Sequence, residues 1–259
     1  MSLPIGRVTF LGTGTSHGVP MIGCKCAVCR SSDERDRRSR PSIYIRLEDG
    51  AGLLVDTTPD LRSQALRFDI ERVDGILFTH CHADHVMGLD EVRRFNMLMG
   101  THIPCYGDER TLTELRRTFA YIFESKDIGG GIPKIELNQV TGPFPFGSHQ
   151  IIPVPVWHGQ RTILGYRLGG FAYLTDCSAI PDDSWALLEG LDTLVIDALR
   201  HRPHPTHLTV AGALAIIERL APGRAYLTHI CHDLGHAATS ATLPAGVEMA
   251  YDGLTIDIC

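Results

Sequence analysis

Short apolar runs, separated by turns rich in Gly, Pro and Asp, divide the chain into alternating segments. Runs of continuous or alternating apolar residues predict β-strands. These strands cover residues 7–11, 43–47, 53–56, 73–78, 103–106, 150–156, 163–168, 171–175, 193–196 and 224–228. Apolar residues at helical spacing predict helices at 59–68, 90–99, 111–123 and 210–220. Interleaved strands and helices predict an α/β fold.

The composition is that of a soluble globular protein, with 44% hydrophobic and 21% charged residues in a chain of 259. No apolar run approaches the roughly 18 residues of a membrane span. The first residues lack the basic and apolar regions of a signal peptide, so we expect a cytoplasmic protein. The net charge of −6 argues against extended nucleic acid as a partner.

The densest group of possible metal ligands directly follows the strand at 73–78. It reads Thr79-His80-Cys81-His82-Ala83-Asp84-His85. In an extended chain, residues two apart point the same way, so His80, His82 and Asp84 share one face. His85 joins them only if the chain turns there. Three imidazoles and a carboxylate at this spacing can hold two metal ions, so the motif predicts a dinuclear metal site.

Later strands also end at side chains that can bind metal. These are His158, Asp176, Asp197 and His229. Loops at strand ends are where α/β enzymes place their chemistry. A single histidine at such a position is more often structural than a ligand. Four such positions in one chain favour a shared site.

Three of the eight cysteines lie close together, as Cys24, Cys26 and Cys29. Three thiols at this spacing can close around one ion, and zinc is the default in a reducing compartment. We therefore expect metal binding or free thiols rather than a disulfide framework, with a fourth ligand from elsewhere in the chain. The charged run at 33–40 predicts a solvated helix or loop.

The glycine-rich turn at 12–20 is neither a P-loop nor a dinucleotide fingerprint. The glycines of this segment are explained equally well by a tight turn and by a loop that binds phosphate through backbone N–H groups. Ser16 and His17 are nevertheless candidates to line the mouth of a substrate pocket.

The motif at 79–85, followed by single His, Asp and His residues at strand ends, resembles that of the metallo-β-lactamase-fold hydrolases. The resemblance implies an αββα sandwich, two β-sheets flanked by helices, which we expect as a single domain over residues 1–259. It implies one metal ion on three histidines and a second ion on an acidic set, with a bridging carboxylate. The first ion is assigned to His80, His82 and His158, the second to Asp84, His85 and His229, and the bridge to Asp176.

The glycine turn together with the cysteine motif at 24–29 resembles the PhnP-type phosphoribosyl cyclic phosphodiesterases of the carbon–phosphorus lyase pathway. That family closes a structural zinc site with a histidine three residues after the last active-site histidine, which implies His232. Cys231 and His236 are rival ligands on sequence alone. The implied cofactors are two divalent ions (Mn, Zn or Fe) and one structural Zn. The segment at 108–138 is longer than in that family, and its loop at 129–131 is as compatible with a lid as with a connector.

The resemblance implies a phosphodiesterase for small cyclic phosphoribosyl or nucleotide substrates, in which a metal-generated hydroxide attacks phosphorus. An alkoxide leaving group needs a proton. The segment Thr206-His207-Leu208-Thr209 resembles the His-x-Thr element of phosphodiesterases in this superfamily, so His207 is the expected general acid. His201 and His204 compete for this role. Asp84 is expected to be catalytic as well as a ligand.

Two alternatives remain, and a third is disfavoured. Glyoxalase II-like thioesterases share all seven ligands but generally lack the cysteine motif. Pyrroloquinoline-quinone-biosynthesis B proteins share that motif but have a degraded hydrolase site, and such a protein would be a carrier. The tRNA 3′-processing nucleases carry an RNA-clamping arm, and no matching insertion is found here. We expect a small phosphodiester as the partner, with no membrane and no extended nucleic acid, and a homodimer is compatible with the sequence.

Overall fold

The computed structural model describes residues 5–124 and 131–259. Its strands are β1 Gly6–Gly12, β2 Ser42–Leu47, β3 Gly52–Val55, β4 Gly75–Leu77, β5 Ile103–Gly107, β6 Ile135–Gln139, β7 Phe144–Phe146, β8 His149–His158, β9 Arg161–Leu168, β10 Phe171–Leu174, β11 Thr193–Asp197, β12 Arg224–Thr228, β13 Val247–Met249 and β14 Thr255–Ile258. Its α-helices are α1 Leu61–Arg67, α2 Ala83–Val86, α3 Val92–Met99, α4 Glu109–Thr118, α5 Ala120–Glu124, α6 Val210–Leu220 and α7 His236–Ser240.

In the described part of the chain the strands form two seven-stranded sheets. The first has the order β14-β1-β2-β3-β4-β5-β6 and the second the order β13-β12-β11-β10-β9-β8-β7. In these orders the first sheet has three antiparallel pairings followed by three parallel ones, and the second has three parallel pairings followed by three antiparallel ones. The last strand returns to the first, with Gly6 opposite Ile258, so the C-terminal strand completes the sheet that the N-terminal half builds.

Alternation along the strands separates three apolar layers. Side chains such as Phe10, Tyr173 and Val195 fill the core between the sheets. Their neighbours Leu174 and Ile196 point the other way and pack under α6. A third core joins the outer face of the first sheet to α1, α3 and α4. The result is the expected αββα sandwich.

All ten predicted strands and four predicted helices are confirmed, with ends that differ by a few residues. The helix at 111–123 is divided into α4 and α5 at Phe119, where the backbone leaves helical geometry (φ −112°, ψ 40°). Strands β6, β7, β13 and β14 and helices α2 and α7 were not predicted. These elements are short, and β6 has no fully buried residue, so their apolar signal is weak. Residues 129 and 130 of the proposed lid lie outside the described residues, and no described helix is long and apolar enough to cross a bilayer.

The prediction of a solvated segment at 33–40 is wrong for Asp36 and Arg38. Both side chains are buried and form an ion pair of 2.8 Å. The Arg38 guanidinium also donates to the carbonyl oxygens of Cys231 (3.0 Å) and Leu234 (2.8 Å). Asp36 accepts from the backbone N–H of His236 (2.8 Å). Alternating charge suggests a solvent-facing run, but here two of the charges anchor a distant loop.

Replacing Arg38 with Met should destabilise the protein by about 3–5 kcal/mol, because the Asp36 carboxylate would stay buried without its partner. The adjacent Arg37 is a matched control, since its ion pair with Glu34 lies at the surface. Arg37→Met should cost less than about 0.5 kcal/mol. Urea unfolding of the two variants measures the difference. Equal midpoints would contradict the anchoring role of Arg38.

Candidate active site

Two groups of potential metal ligands lie side by side at the ends of strands. In the first group, the ligand atoms of His80, His82, His158 and Asp176 all lie within 4.8 Å of one another. The Nε2 atom of His80 is 2.9 Å from Nδ1 of His82 and 3.7 Å from an Asp176 carboxylate oxygen. Imidazole and carboxylate atoms that converge this closely suit a divalent ion such as Zn²⁺.

The second group contains His85, His229 and, again, Asp176. Oδ1 of Asp176 lies 2.9 Å from Nδ1 of His229 and 3.3 Å from Nε2 of His85. The carboxylate of Asp84 lies 3.4 Å from the same Nε2. Neither His85 Nε2 nor His229 Nδ1 has a hydrogen-bond partner among the described residues, although both are buried. Orphaned nitrogens directed at shared carboxylates are what a bound cation would satisfy, so these residues fit a second metal ion.

The extended stretch of the central motif ends at His82. The chain then turns into helix α2, with His82 as its N-cap, and so Asp84 lies on a helix. The expectation that His80, His82 and Asp84 share one face of an extended chain therefore holds only for the two histidines. The turn places Asp84 and His85 at the second group, while His80 and His82 belong to the first. Helix α2 is followed by Gly88, where a Cβ atom would lie 1.9 Å from the Thr58 carbonyl oxygen.

Three acidic or imidazole residues that follow strands have left-handed backbone conformations. They are Asp56 (φ 64°), Asp176 (φ 56°) and His229 (φ 57°). Such a conformation costs a non-glycine residue about 1–3 kcal/mol and persists only where surrounding contacts fix it. Asp56 is fixed by Thr79, which donates its backbone N–H (2.9 Å) and hydroxyl (2.8 Å) to the carboxylate. Each strained residue thus lies where the backbone leaves a strand and turns toward the site.

Asp56 is a site residue that the sequence analysis missed. Its carboxylate is fully buried and accepts a hydrogen bond of 2.7 Å from Nδ1 of His85. That bond leaves Nε2 of His85 facing the second group. His158 is held similarly, because its Nδ1 donates to the Thr206 carbonyl oxygen (2.8 Å). Asp56 follows β3 just as Asp176 follows β10, so the rule for strand ends could have identified it.

Burial and nearby charge set the protonation of the histidines. Burial lowers the pKa of His80 well below its ordinary value, and it also lowers the pKa of His82 and His158. These imidazoles are neutral at pH 7 and can donate a lone pair to a metal. Burial acts in the same direction on His85, but the Asp176, Asp84 and Asp56 carboxylates outweigh it and raise the pKa of His85 well above normal. The second group therefore attracts positive charge.

His207 lies against both groups. Its ring stacks on that of His229, with centroids 4.6 Å apart, and meets the His158 ring edge-on at 4.9 Å. Its Nδ1 donates to the buried carboxylate of Asp197 (2.7 Å), which leaves Nε2 free for a substrate. His204 lies one ring further out, 5.1 Å from His207, and His201 is exposed. Of the three candidate acids, His207 is the one in contact with the metal-ligand groups.

A cavity of about 280 Å³ opens beside His207 and His229. Ser16 and His17 line it, as the glycine-rich turn suggested, and Arg200 and Arg202 face them from the loop after β11. The turn is closed by a bond of 2.9 Å from the Gly18 N–H to the Thr15 carbonyl oxygen. The two candidate substrate residues thus lie next to the predicted metal ligands.

The cysteine motif meets His232 in a third group. The sulfur atoms of Cys24, Cys26 and Cys29 lie 3.2, 3.5 and 3.7 Å from Nδ1 of His232. Tetrahedral zinc, with Zn–S of about 2.3 Å and Zn–N of about 2.0 Å, requires S–N separations of roughly 3.5 Å. The rivals fall outside this group: Cys231 accepts from the Asp233 N–H, and the His236 ring packs on Tyr251. The structure therefore brings together the four ligands predicted from the sequence.

Comparisons with known proteins agree with this geometry. The profile of the Beta-lactamase superfamily domain matches residues 52–230. A crystal structure of a diphosphatase from the PhnP family superposes with a TM-score of 0.91 at 46% identity, covering 98% of this chain and 99% of that one. Zn²⁺-bound PqqB from Methylobacterium extorquens superposes with a TM-score of 0.77, covering 97% of this chain and 100% of that one, but at 21% identity it shows the fold alone.

An octanoyltransferase of Porphyromonas gingivalis (strain ATCC BAA-308 / W83) is 36% identical over 252 residues. The alignment covers 96% of this chain and 51% of that protein, so the chain spans about half the length of this relative. The activity in its name is that of the longer protein.

The two sheets, the flanking helices and the histidine-rich rim define a metallo-β-lactamase fold of the hydrolase type. The chain belongs to the β-lactamase superfamily, and the resemblance to PhnP-type proteins is confirmed.

The cysteine group makes a pH-dependent prediction. The Cys29 N–H donates to the sulfur of Cys26 (3.3 Å) and lowers the pKa of Cys26 to about 6, whereas burial raises the pKa of Cys29 to about 11. Since only the thiolate reacts, alkylation of Cys26 in metal-free protein should rise up to pH about 6 and then level off. Cys29 should stay unreactive at neutral pH.

Mass spectrometry after iodoacetamide treatment between pH ~5 and ~9 measures both thiols in one sample. The buried Cys105 serves as the internal control, because burial raises its pKa strongly. Zinc should protect Cys26. Parallel pH profiles for Cys26 and Cys29 would show that the geometry at His232 does not differentiate them.

Proposed function

We propose that this protein is a metal-dependent phosphohydrolase that cleaves small phosphodiesters, with all of its described elements in one catalytic domain. The observation that carries the proposal is the Asp176 carboxylate shared by two ligand groups, next to the His207–Asp197 pair. The proposed ligands of the two ions are His80, His82 and His158, and Asp84, His85 and His229, with Asp176 between them. Cys24, Cys26, Cys29 and His232 are proposed to hold a structural zinc ion.

When bound, two divalent ions supply a nucleophile at neutral pH and offset charge on the phosphoryl oxygens. The chain's own residues then have three tasks. Asp56 and Thr206 fix the ring orientation of His85 and His158 through their Nδ1 atoms. The carboxylate of Asp84, 3.4 Å from His85 Nε2, is a ligand of the second ion and a hydrogen-bond acceptor that orients the attacking water. The third task belongs to His207, which protonates the leaving group.

His207 is suited to protonate a leaving oxygen. Burial lowers its pKa, so the free imidazole is mainly neutral. An anionic substrate beside it, together with Asp197 at Nδ1, favours the imidazolium form that can give up the Nε2 proton. A phosphate group in the site would therefore favour the protonated form of His207.

A diphosphate is the second candidate substrate, because the neighbour at 46% identity is a diphosphatase. Cleavage of a diphosphate expels a phosphate group, which needs less help from an acid than an alkoxide does. The two candidates therefore differ in how strongly they depend on His207. Like a diphosphatase, a thioesterase would depend little on an acid such as His207. A carrier of the PqqB type would need no second metal ion.

The first test is turnover of bis(p-nitrophenyl) phosphate by manganese-reconstituted protein. We expect wild type to hydrolyse this diester, with little activity on p-nitrophenyl phosphate. His80→Ala should lower turnover by at least about 100-fold, the upper limit for losing a contact that merely supports a ligand. The exposed His102 offers a matched control, and His102→Ala should leave the rate unchanged.

Metal analysis of the same samples separates the alternatives. About three ions per chain fit the proposed enzyme, and about one fits a carrier. If protein that carries three ions does not hydrolyse the diester, the phosphodiesterase proposal is wrong. Thioesters and diphosphates would then be tested.

The role of His207 makes a prediction about leaving groups. His207→Asn should lower kcat about 10²- to 10⁴-fold on adenosine 2′,3′-cyclic phosphate, whose leaving alkoxide needs a proton. On bis(p-nitrophenyl) phosphate the same variant should lose less than about tenfold, because nitrophenolate leaves unaided. His204→Asn is the control and should not discriminate between the substrates. An equal loss on both substrates would assign His207 to binding or structure instead of proton transfer.

A further inference from the structure

Asp252 is a buried carboxylate outside the predicted ligand groups, in the turn between β13 and β14. One of its carboxylate oxygens accepts two hydrogen bonds from Thr13, one from the backbone N–H (2.9 Å) and one from the hydroxyl (2.8 Å). The other oxygen accepts the N–H of Ser39 (2.7 Å). The carboxylate therefore joins two segments that lie 239 and 213 residues away along the chain.

Asp252 is an anion at neutral pH. Burial raises the pKa of Asp252 to about 6, and the hydrogen bonds from Ser39 and Thr13 act in the opposite direction. An ionised carboxylate can only accept hydrogen bonds, and burying it is costly unless such bonds are made. Bonds to a charged group are also stronger than those between neutral groups. The donors on Thr13 and Ser39 meet this requirement, so both segments are held close to Asp252.

Thr13 connects this contact to the backbone beside His229. The Thr13 carbonyl oxygen accepts the N–H of Ile230 (2.8 Å), and Gly14 pairs with Ile230 as a parallel bridge. Ile230 directly follows His229, whose backbone lies in the left-handed region (φ 57°). Such a conformation persists only where surrounding contacts fix it. The bond between Ile230 and Thr13 is one of these contacts, because it holds the chain directly after the strained residue.

The second segment, at 38–39, supports the same turn after β1. Gly14 donates its N–H to the Ser39 carbonyl oxygen (2.8 Å), and a Cβ atom on Gly14 would lie 2.8 Å from the Arg38 carbonyl oxygen. Further along the turn, Val19 and Arg38 exchange backbone hydrogen bonds of 2.8 and 2.7 Å. Only glycine permits the close approach at position 14. Asp252 therefore lies where the turn and this segment are both attached.

We propose that Asp252 is a positioning residue for His229 and acts through Thr13 and the N–H of Ile230. The inference rests on the proposed function, because His229 is one of the proposed ligands of the second ion. Asp56 orients His85 by a direct hydrogen bond, whereas Asp252 acts on the backbone next to its ligand. Two ligands of the second group thus depend on buried carboxylates that are not ligands themselves.

Amide hydrogen exchange of metal-free protein at neutral pH, followed by NMR, tests the connection from Asp252 to Ile230. Asp252→Asn keeps the size of the side chain, but it offers one acceptor oxygen instead of two and turns an NH₂ group toward one of the donors. We expect the Ile230 amide to exchange at least about tenfold faster, the effect of losing one hydrogen bond to a charged group. The amide of Leu227, within β12, should keep its rate.

Two results of this measurement would refute the positioning role. Equal acceleration at Ile230 and Leu227 would assign Asp252 to overall stability. An unchanged rate at Ile230 would show that the contact with Thr13 does not reach the backbone after His229.

Asp257 supplies the matched control, because its carboxylate lies in the same C-terminal hairpin but pairs with Arg7 at the surface (2.9 Å). Asp257→Asn should leave the exchange of Ile230 unchanged. Thr13→Val removes only the hydroxyl bond and should accelerate Ile230 less than Asp252→Asn does, whereas Thr13→Ser should retain the wild-type rate. If Asp252→Asn does not fold, an unchanged Ile230 rate in Thr13→Val would overturn the proposal.

Metal binding separates the positioning role from the proposed function. In Asp252→Asn, titration with Zn²⁺ against a chelator should show one active-site ion bound about 10- to 100-fold more weakly, with the other sites unchanged. Equal weakening of every site would contradict a specific effect on His229. If wild type binds no ions at the active site, the proposed function fails, while the exchange of Ile230 still decides the role of Asp252.

Discussion

A buried carboxylate with no salt bridge to a lysine or arginine of residues 5–124 or 131–259 is the constraint on which the centre of this protein depends. Asp176 is 3% exposed, and its oxygens lie among the nitrogens of His80, His85 and His229. Burying such an anion is costly unless positive charge compensates it. Burial keeps the imidazoles of His80 and His158 neutral, so they do not supply that charge. The site is therefore arranged to be completed by cations.

That arrangement requires the two halves of the chain to meet at one rim. The first sheet supplies the motif after β4, and the second sheet supplies Asp176 and His229. Their relative position is fixed by the apolar core between the sheets and by a few buried polar contacts. Asp56 orients His85 from within the first sheet, and Arg38 binds the carbonyl of Cys231, two residues after His229. A small number of buried charges thus fixes the predicted ligands relative to the two sheets.

Much of this could be predicted from the sequence, because strand ends are strong signals. An apolar run followed by a lone His or Asp correctly located His158, Asp176 and His229 beside the central motif. The contacts of Asp56 and Arg38 could not be predicted in the same way. The identity of the partner for Asp56 and Arg38 depends on contacts between segments far apart in the chain, such as 29 residues for Asp56 and His85 and 193 for Arg38 and Cys231. Local patterns carry no information about such pairs.

The positions at strand ends are shared by the family, whereas the side chains of the loops are particular to this chain. Side chains at the ends of strands are brought together by the fold, and one fold can host many different reactions. Selectivity must then come from side chains that the fold leaves free, which here are those of the loops after β1 and β11. The loop after β11 is attached to the segment that carries His232 through Asp233 and the Cys231 N–H. The cysteine group lies against the cavity beside the predicted metal ligands, so it can position the cavity wall as well as stabilise the fold.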